Sequence, residues 1–137
     1  MAYWLVKSEP SSYSWQQLVK ERRTFWSGVR NFQASSNLKA MKNGDRAFFY
    51  HSGEDKAVVG IAEIVKEYYP DHTDESGKFG MVDVIPVAAL PKPVTLAQIK
   101  AEPKLKDLAL VRQSRLSVMP IDEKSWKLIC AMGGSKP

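Results

Sequence analysis

The chain holds a single cysteine, Cys130, among 137 residues. It can form no intrachain disulfide, which fits a reducing compartment. Cys130 lies in the apolar run Leu128-Ile129-Cys130-Ala131-Met132 and reads as a small buried hydrophobe. Histidine is almost as scarce. His51 and His72 are the only two, so Cys and His cannot assemble a tight zinc set. The chain has no Gly-x-Gly-x-x-Gly turn, no Gly-Lys-Ser/Thr phosphate loop and no Gly-x-Ser-x-Gly elbow. It therefore lacks the sequence signals of dinucleotide, nucleoside triphosphate and α/β-hydrolase sites, and no cofactor is expected. Ser8, Glu9 and His51 are the residue types of a hydrolytic triad, but nothing in their spacing supports one. No apolar run approaches a membrane span, and the amino terminus has no basic region followed by an apolar stretch. A soluble protein is expected, cytoplasmic, or nuclear if its host has a nucleus. Internal repeats and low-complexity segments are also missing.

What is present is a core and an excess of positive charge. Hydrophobic residues make up 44% and aromatics 10%, enough for a packed interior in one domain spanning 1–137. The formal net charge is +5, compatible with a nucleic-acid partner. Asp71, Asp74 and Glu75 fall in one loop, so the rest of the surface is more basic than the total implies. That loop is expected to lie away from a basic face made by Lys7, Arg30 and Arg115.

Local patterns give about six strands and several short helices. Tyr3-Trp4-Leu5-Val6 reads as a buried strand, ended by Lys7-Ser8-Glu9-Pro10. Ser14-Trp15-Gln16-Gln17 is a capping box with Tyr13 and Leu18 at the staple positions. Ser35 or Ser36 can cap a helix through Leu38 and Met41, stopped at Asn43-Gly44-Asp45. Ala47 to Tyr50, Ala57 to Tyr69, Met81 to Val87 and Gln113 to Val118 read as further strands. Gly60 suggests a bulge, a bend or close backbone approach, and Pro86 an edge or a strand end. Pro91-Lys92-Pro93 reads as a stiff connector. Thr95 to Gln98 is a second capping box, and Asp122 caps a last helix stopped by Gly133-Gly134. Trp15 and Trp126 are expected to pack on the sheet. Turns rather than long crossovers join most neighbouring strands, which suggests an α+β domain with a curved sheet or partly closed barrel.

One stretch fits neither period: Phe25-Trp26-Ser27-Gly28-Val29-Arg30-Asn31-Phe32-Gln33-Ala34. Trp26 offers a wide apolar face with one N–H donor, and Gly28 lets a ligand or backbone come close. Arg30 offers a rigid fork suited to phosphate, and Asn31 two donors and an acceptor. These groups can stack a flat ring, read its edge and hold a phosphate. Taken alone, the stretch favours a plainer loop with a buried tryptophan and a solvated arginine. Other polar groups gather at strand ends: Lys7-Ser8-Glu9, His51-Ser52, and Arg112 with Arg115. Such a make-up suits a flipped or single-stranded base beside a phosphate track.

Five ordered motifs cover nearly the whole chain: Trp4 to Pro10, Trp26 to Ala34, Phe49 to Ser52, Val59 to Ala62 and Arg112 to Val118. Together they resemble an EVE domain, a family related to the YTH readers of methylated adenine. The resemblance implies a PUA-like fold, a β-barrel-like sheet with short flanking helices. It also implies a non-enzymatic reader of a modified base, a modified cytosine in the usual proposal, in DNA or RNA. By motif, Trp26 with Ser27 would wall the base pocket and Ser8 would bond the base edge. Asn31, His51 and Arg115 would line the same cavity, and Lys7 and Arg30 would meet phosphate. Glu9, Ser52 and Leu116 adjoin these positions and complete the expected set. Tyr50, Phe32 and Tyr68 are candidates for a second cage aromatic, although each is more often core. The expected partner is nucleic acid, not membrane, bound by a monomer. A nucleic-acid-modifying or hydrolytic enzyme, and a protein-interaction module using the same groove, are the competing classes.

Overall fold

The computed structural model describes residues 1–137. Six strands form one sheet: β1 (Tyr3–Ser8), β2 (Thr24–Phe25), β3 (Arg46–His51), β4 (Ala57–Pro70), β5 (Gly80–Thr95) and β6 (Val118–Ile121). Their order across the sheet is β2-β5-β4-β3-β1-β6. β3, β4 and β5 form successive antiparallel hairpins, β1 runs parallel to β3, and β6 returns antiparallel on β1. Register shifts within the β3–β4 and β4–β5 pairs mark bulges, which bend and twist the sheet. The sheet curves but does not close, which corrects the expectation of closure. Two-residue β2 and four-residue β6 each pair on one side only, leaving both edges open.

Five helices flank the sheet: α1 (Trp15–Glu21), α2 (Phe32–Ala40), α3 (Leu96–Ala101), α4 (Ala109–Arg112) and α5 (Glu123–Met132). None is long and apolar enough to cross a membrane. Successive residues of a strand point to opposite faces, so Phe48 and Phe49 serve two different halves of the core. On one side the Trp126 ring of α5 stacks on Phe48 at 3.9 Å and on Tyr3 at 4.5 Å. On the other, Trp15 and Trp26 meet Phe49 edge-on at 5.5 and 5.4 Å. Both tryptophans expected on the sheet are therefore there. Cys130 is fully buried in the same core, and burial pushes its thiol pKa up to about 11.

The capping signals mostly hold. Thr95 and Gln98 make both bonds of a capping box, and the Asp122 carboxylate accepts from Ser125 N. Ser14 accepts from Gln17 N, but the Gln17 amide turns to Glu21 instead of reaching back. Three local readings change. Asn31 caps α2, not Ser35 or Ser36, because its extended backbone lets Oδ1 accept from Ala34 N at 2.9 Å. Pro91-Lys92-Pro93 belongs to β5, where Lys92 N donates to Gly133 O. Residues 113–117 form a turn, and only Val118 onward is strand. Their alternating pattern arises because Leu116 and Val118 both drop into the core from that turn.

Gly60 is where α1 meets the sheet. A Cβ there would lie 2.6 Å from the Trp15 ring, in the middle of an aromatic plane that cannot swing aside. Gly60→Ala is expected to lower stability by about 1–3 kcal/mol through overpacking. An unchanged denaturation midpoint would show that α1 is not seated on this strand.

Candidate nucleic-acid interface

A cleft of about 540 Å³ opens between the end of β1 with the loop that follows it, the end of α1, and the segment running from β2 to α2. Trp26 lies at its base. Its backbone N–H donates to Val82 O at 2.7 Å, which extends the β2–β5 pairing by one rung. The ring is held edge-on by Phe49 and by Tyr13, the latter at 6.3 Å. Only 7% of Trp26 is exposed. The chain then turns through Gly28 at φ +86°, a conformation that favours glycine.

Asp71 fixes that turn. Its buried carboxylate accepts from Gly28 N at 2.8 Å, Arg30 Nη1 at 3.0 Å, Thr73 N at 2.7 Å and Thr73 Oγ1 at 2.6 Å. Burial alone would raise its pKa. The hydrogen bonds from Thr73, Gly28 and Arg30 outweigh it and hold the carboxyl well below the usual range. The acidic loop therefore packs against the cleft rim, which overturns the expectation that it lies away from the basic face. Arg30 is half committed to Asp71 and Thr73, so it is not the free phosphate fork that its sequence suggested.

The β1 end supplies the other wall. Lys7 is half-buried, donates to Ser114 O at 2.9 Å and lies over the Tyr50 ring at 5.8 Å. Its desolvation lowers its pKa. Ser8 Oγ donates to Tyr13 O at 2.6 Å, so towards a ligand it can only accept. Asn31 has the opposite bias. Its oxygen is bound to Ala34 N, which leaves the amide N–H groups as donors. Ser27 and Ser117 add hydroxyls.

Of the expected set, Lys7, Ser8, Trp26, Ser27, Arg30 and Asn31 line this one cleft, and the other five do not. His51 is buried and structural. Its Nε2 accepts from Trp15 N at 3.0 Å, so the proton sits on Nδ1, 3.1 Å from Asp55. Those bonds, with the Ser8 hydroxyl turned to Tyr13, dismantle the Ser8-Glu9-His51 triad. Glu9 and Ser52 face a separate shallow hollow with Glu54 and Asp55, whose charge disfavours phosphate. Leu116 is core at 5% exposed. Arg115 is exposed and makes no ion pair, in the turn that also carries Ser114 and Ser117.

Sequence reasoning missed Tyr13, Glu21, Thr24 and Phe25, which also line the cleft. Tyr13 shows best why, since it reads as a helix staple and performs both jobs. Its hydroxyl donates to Glu21 at 2.7 Å. Burial chiefly pushes its pKa up to about 12, opposed by a bond from Thr24 and reinforced by the Glu21 carboxylate. Tyr13 and Phe25 are the cleft's additional aromatics. Tyr50, Phe32 and Tyr68 are not: Tyr50 is core, Tyr68 bonds Ser35, and Phe32 stands outside.

A curved, open six-stranded sheet with short flanking helices and an aromatic-walled cleft beside the first strand defines a PUA-like α+β domain. Residues 2–132 match the EVE domain model, and the chain belongs to the EVE domain family. Thymocyte nuclear protein 1 of Gallus gallus is 36% identical over 98% of this chain and 70% of its own. A solution structure of Rpa0253 from Rhodopseudomonas palustris is 57% identical, with a TM-score of 0.92 over 98% of this chain and 94% of that one. The crystal structure of human THYN1 in complex with DNA containing 5-methylcytosine is 32% identical. It superposes with a TM-score of 0.92 over 100% of both chains.

Proposed function

We propose that this protein is a non-enzymatic reader that binds nucleic acid and takes a modified base, a modified cytosine, out of the stack into the Trp26 cleft. The observation that carries it is the cleft itself. The largely buried Trp26 indole stands beside the Ser8 hydroxyl, whose proton is spent on Tyr13 O, and the Asn31 amide, whose N–H groups are free to donate. That combination suits a flat ring with a mixed polar edge. The DNA complex of human THYN1 supports the same class of ligand. Lys7 and Arg115 are the cations best free to meet phosphate, with Arg30 reaching it only while held by Asp71. The committed bonds of Ser8 and His51 favour a binding module over a hydrolase.

The test is a titration of oligonucleotides carrying single modified bases, at two or more salt concentrations. Tighter binding to one modified base than to its parent base is expected. With about four phosphates contacted, log affinity should fall against log salt with a slope of about −3 to −4. Lys7→Ala should weaken all sequences alike and make the slope shallower by about one unit. A flat salt response would remove the phosphate role, and equal affinity for every base would remove the reader role.

A further inference from the structure

Two exposed aromatics bracket the cleft segment: Phe25 immediately precedes Trp26, and Phe32 immediately follows Asn31. Phe25 already faces the cleft, but Phe32 does not. At 69% exposed, Phe32 is more open to solvent than any other large apolar side chain except Met1. The fold does not need it there, because α2 packs through Ala34, Ser35 and Leu38. Yet the ring is not loose. It leans on Phe79 at 4.9 Å and 31°, and the Arg30 guanidinium lies 5.8 Å from that same Phe79 ring. Arg30 is in turn anchored by Asp71. Phe32 is thus an aromatic surface backed by a second ring, beside a fixed cation. It is continuous with the cleft through Arg30 and Asn31, which line it.

We propose that Phe32, backed by Phe79, is a stacking ledge for the base next to the one held in the cleft. The proposal rests on the cleft being a base site. When a base leaves the stack, its neighbours lose a stacking partner, and an exposed ring can replace it. Every base has a π-face, so such a ledge is indifferent to sequence and to modification. The cleft would then set discrimination, and the ledge would set general affinity. Continuity with the cleft through Arg30 and Asn31 favours the strand whose base enters the cleft over a separate apolar protein segment.

The experiment uses a labelled single-stranded oligonucleotide with one central 5-methylcytosine, its unmodified counterpart, and a version with abasic sites on both sides of the modified base. Phe32→Ala should bind the intact modified and unmodified strands about five- to thirty-fold more weakly than the parent, leaving their ratio unchanged. Phe32→Trp should bind at least as tightly as the parent. On the strand with abasic flanks, parent and Phe32→Ala should bind alike. The ring is exposed, so Phe32→Ala should melt with the parent. Undiminished binding of the intact strand by Phe32→Ala overturns the ledge alone, as does a loss that persists with abasic flanks. A parent that self-associates through Phe32 and loses no strand affinity without it also overturns the ledge. No binding by the parent to any strand overturns the cleft reading and the ledge together.

Discussion

Trp26→Ala should lower affinity for a modified-base oligonucleotide about five- to a hundred-fold, the range for removing one base-stacking aromatic. It should also lower stability by about 3–5 kcal/mol, because the same ring packs on Phe49 and Tyr13 and is only 7% exposed. The two losses share one side chain, so a drop in melting temperature cannot by itself distinguish a core residue from a pocket wall. Trp26→Phe separates them. It keeps a smaller apolar ring in the core but removes the indole N–H and part of the cleft wall. We expect Trp26→Phe to remain folded at the assay temperature, checked by circular dichroism, and to discriminate less between modified and unmodified bases. If it folds and discriminates as well as the parent, Trp26 serves the core alone.

The second large effect is expected at Asp71. Asp71→Ala strips the shared acceptor from Gly28 N, Thr73 N and Arg30, which then lose the buried carboxylate that ties the turn to the loop. A loss of about 1–3 kcal/mol follows from removing hydrogen bonds to a charged acceptor of this kind. Affinity should fall too, since the Gly28 turn and Arg30 line the cleft. Asp71→Asn retains one acceptor oxygen and should recover part of both. The pH dependence has a defined sign. The folded carboxyl is depressed below its unfolded value near 3.8, so its stabilisation is fully present above that pH. It is lost as pH falls below about 4, towards the folded value. The stability gap between parent and Asp71→Asn should therefore narrow in acid. A gap that stays constant from pH 7 to pH 3 would show that the charge of Asp71 contributes nothing.

Asp71 also marks the boundary between what was legible in the sequence and what was not. It stands 43 residues from Gly28, inside a loop that reads as solvated and acidic. No local pattern could join them, because the bond forms only when the β4–β5 hairpin folds back across β2. Tyr13 was hidden for another reason: its staple position already explained it, and a second role leaves no extra mark on the sequence. His51 was misread because its neighbours Phe49 and Tyr50 match a family motif, whereas its ring turns inward to the Trp15 backbone. Arg115 and Leu116 were misplaced by an alternation that belongs to a turn over the core, not to a strand.

The sequence by itself determined the elements whose causes are local. Thr95 and Asp122 cap helices through bonds three residues away, and Trp4-Leu5-Val6 buries as a strand because all three residues are apolar. It also singled out the Trp26 stretch, since that stretch breaks both periods. Only the tertiary structure decided which polar groups remain free for a ligand. A hydroxyl, an amide or a guanidinium carries the same chemistry wherever it stands. Whether Ser8 donates or accepts, whether Asn31 caps or reads, and whether Arg30 is free depends on Tyr13 O, Ala34 N and Asp71. Buried hydrogen-bonding groups find partners nearly without exception, so each side chain's remaining capacity is fixed by what the fold brings beside it.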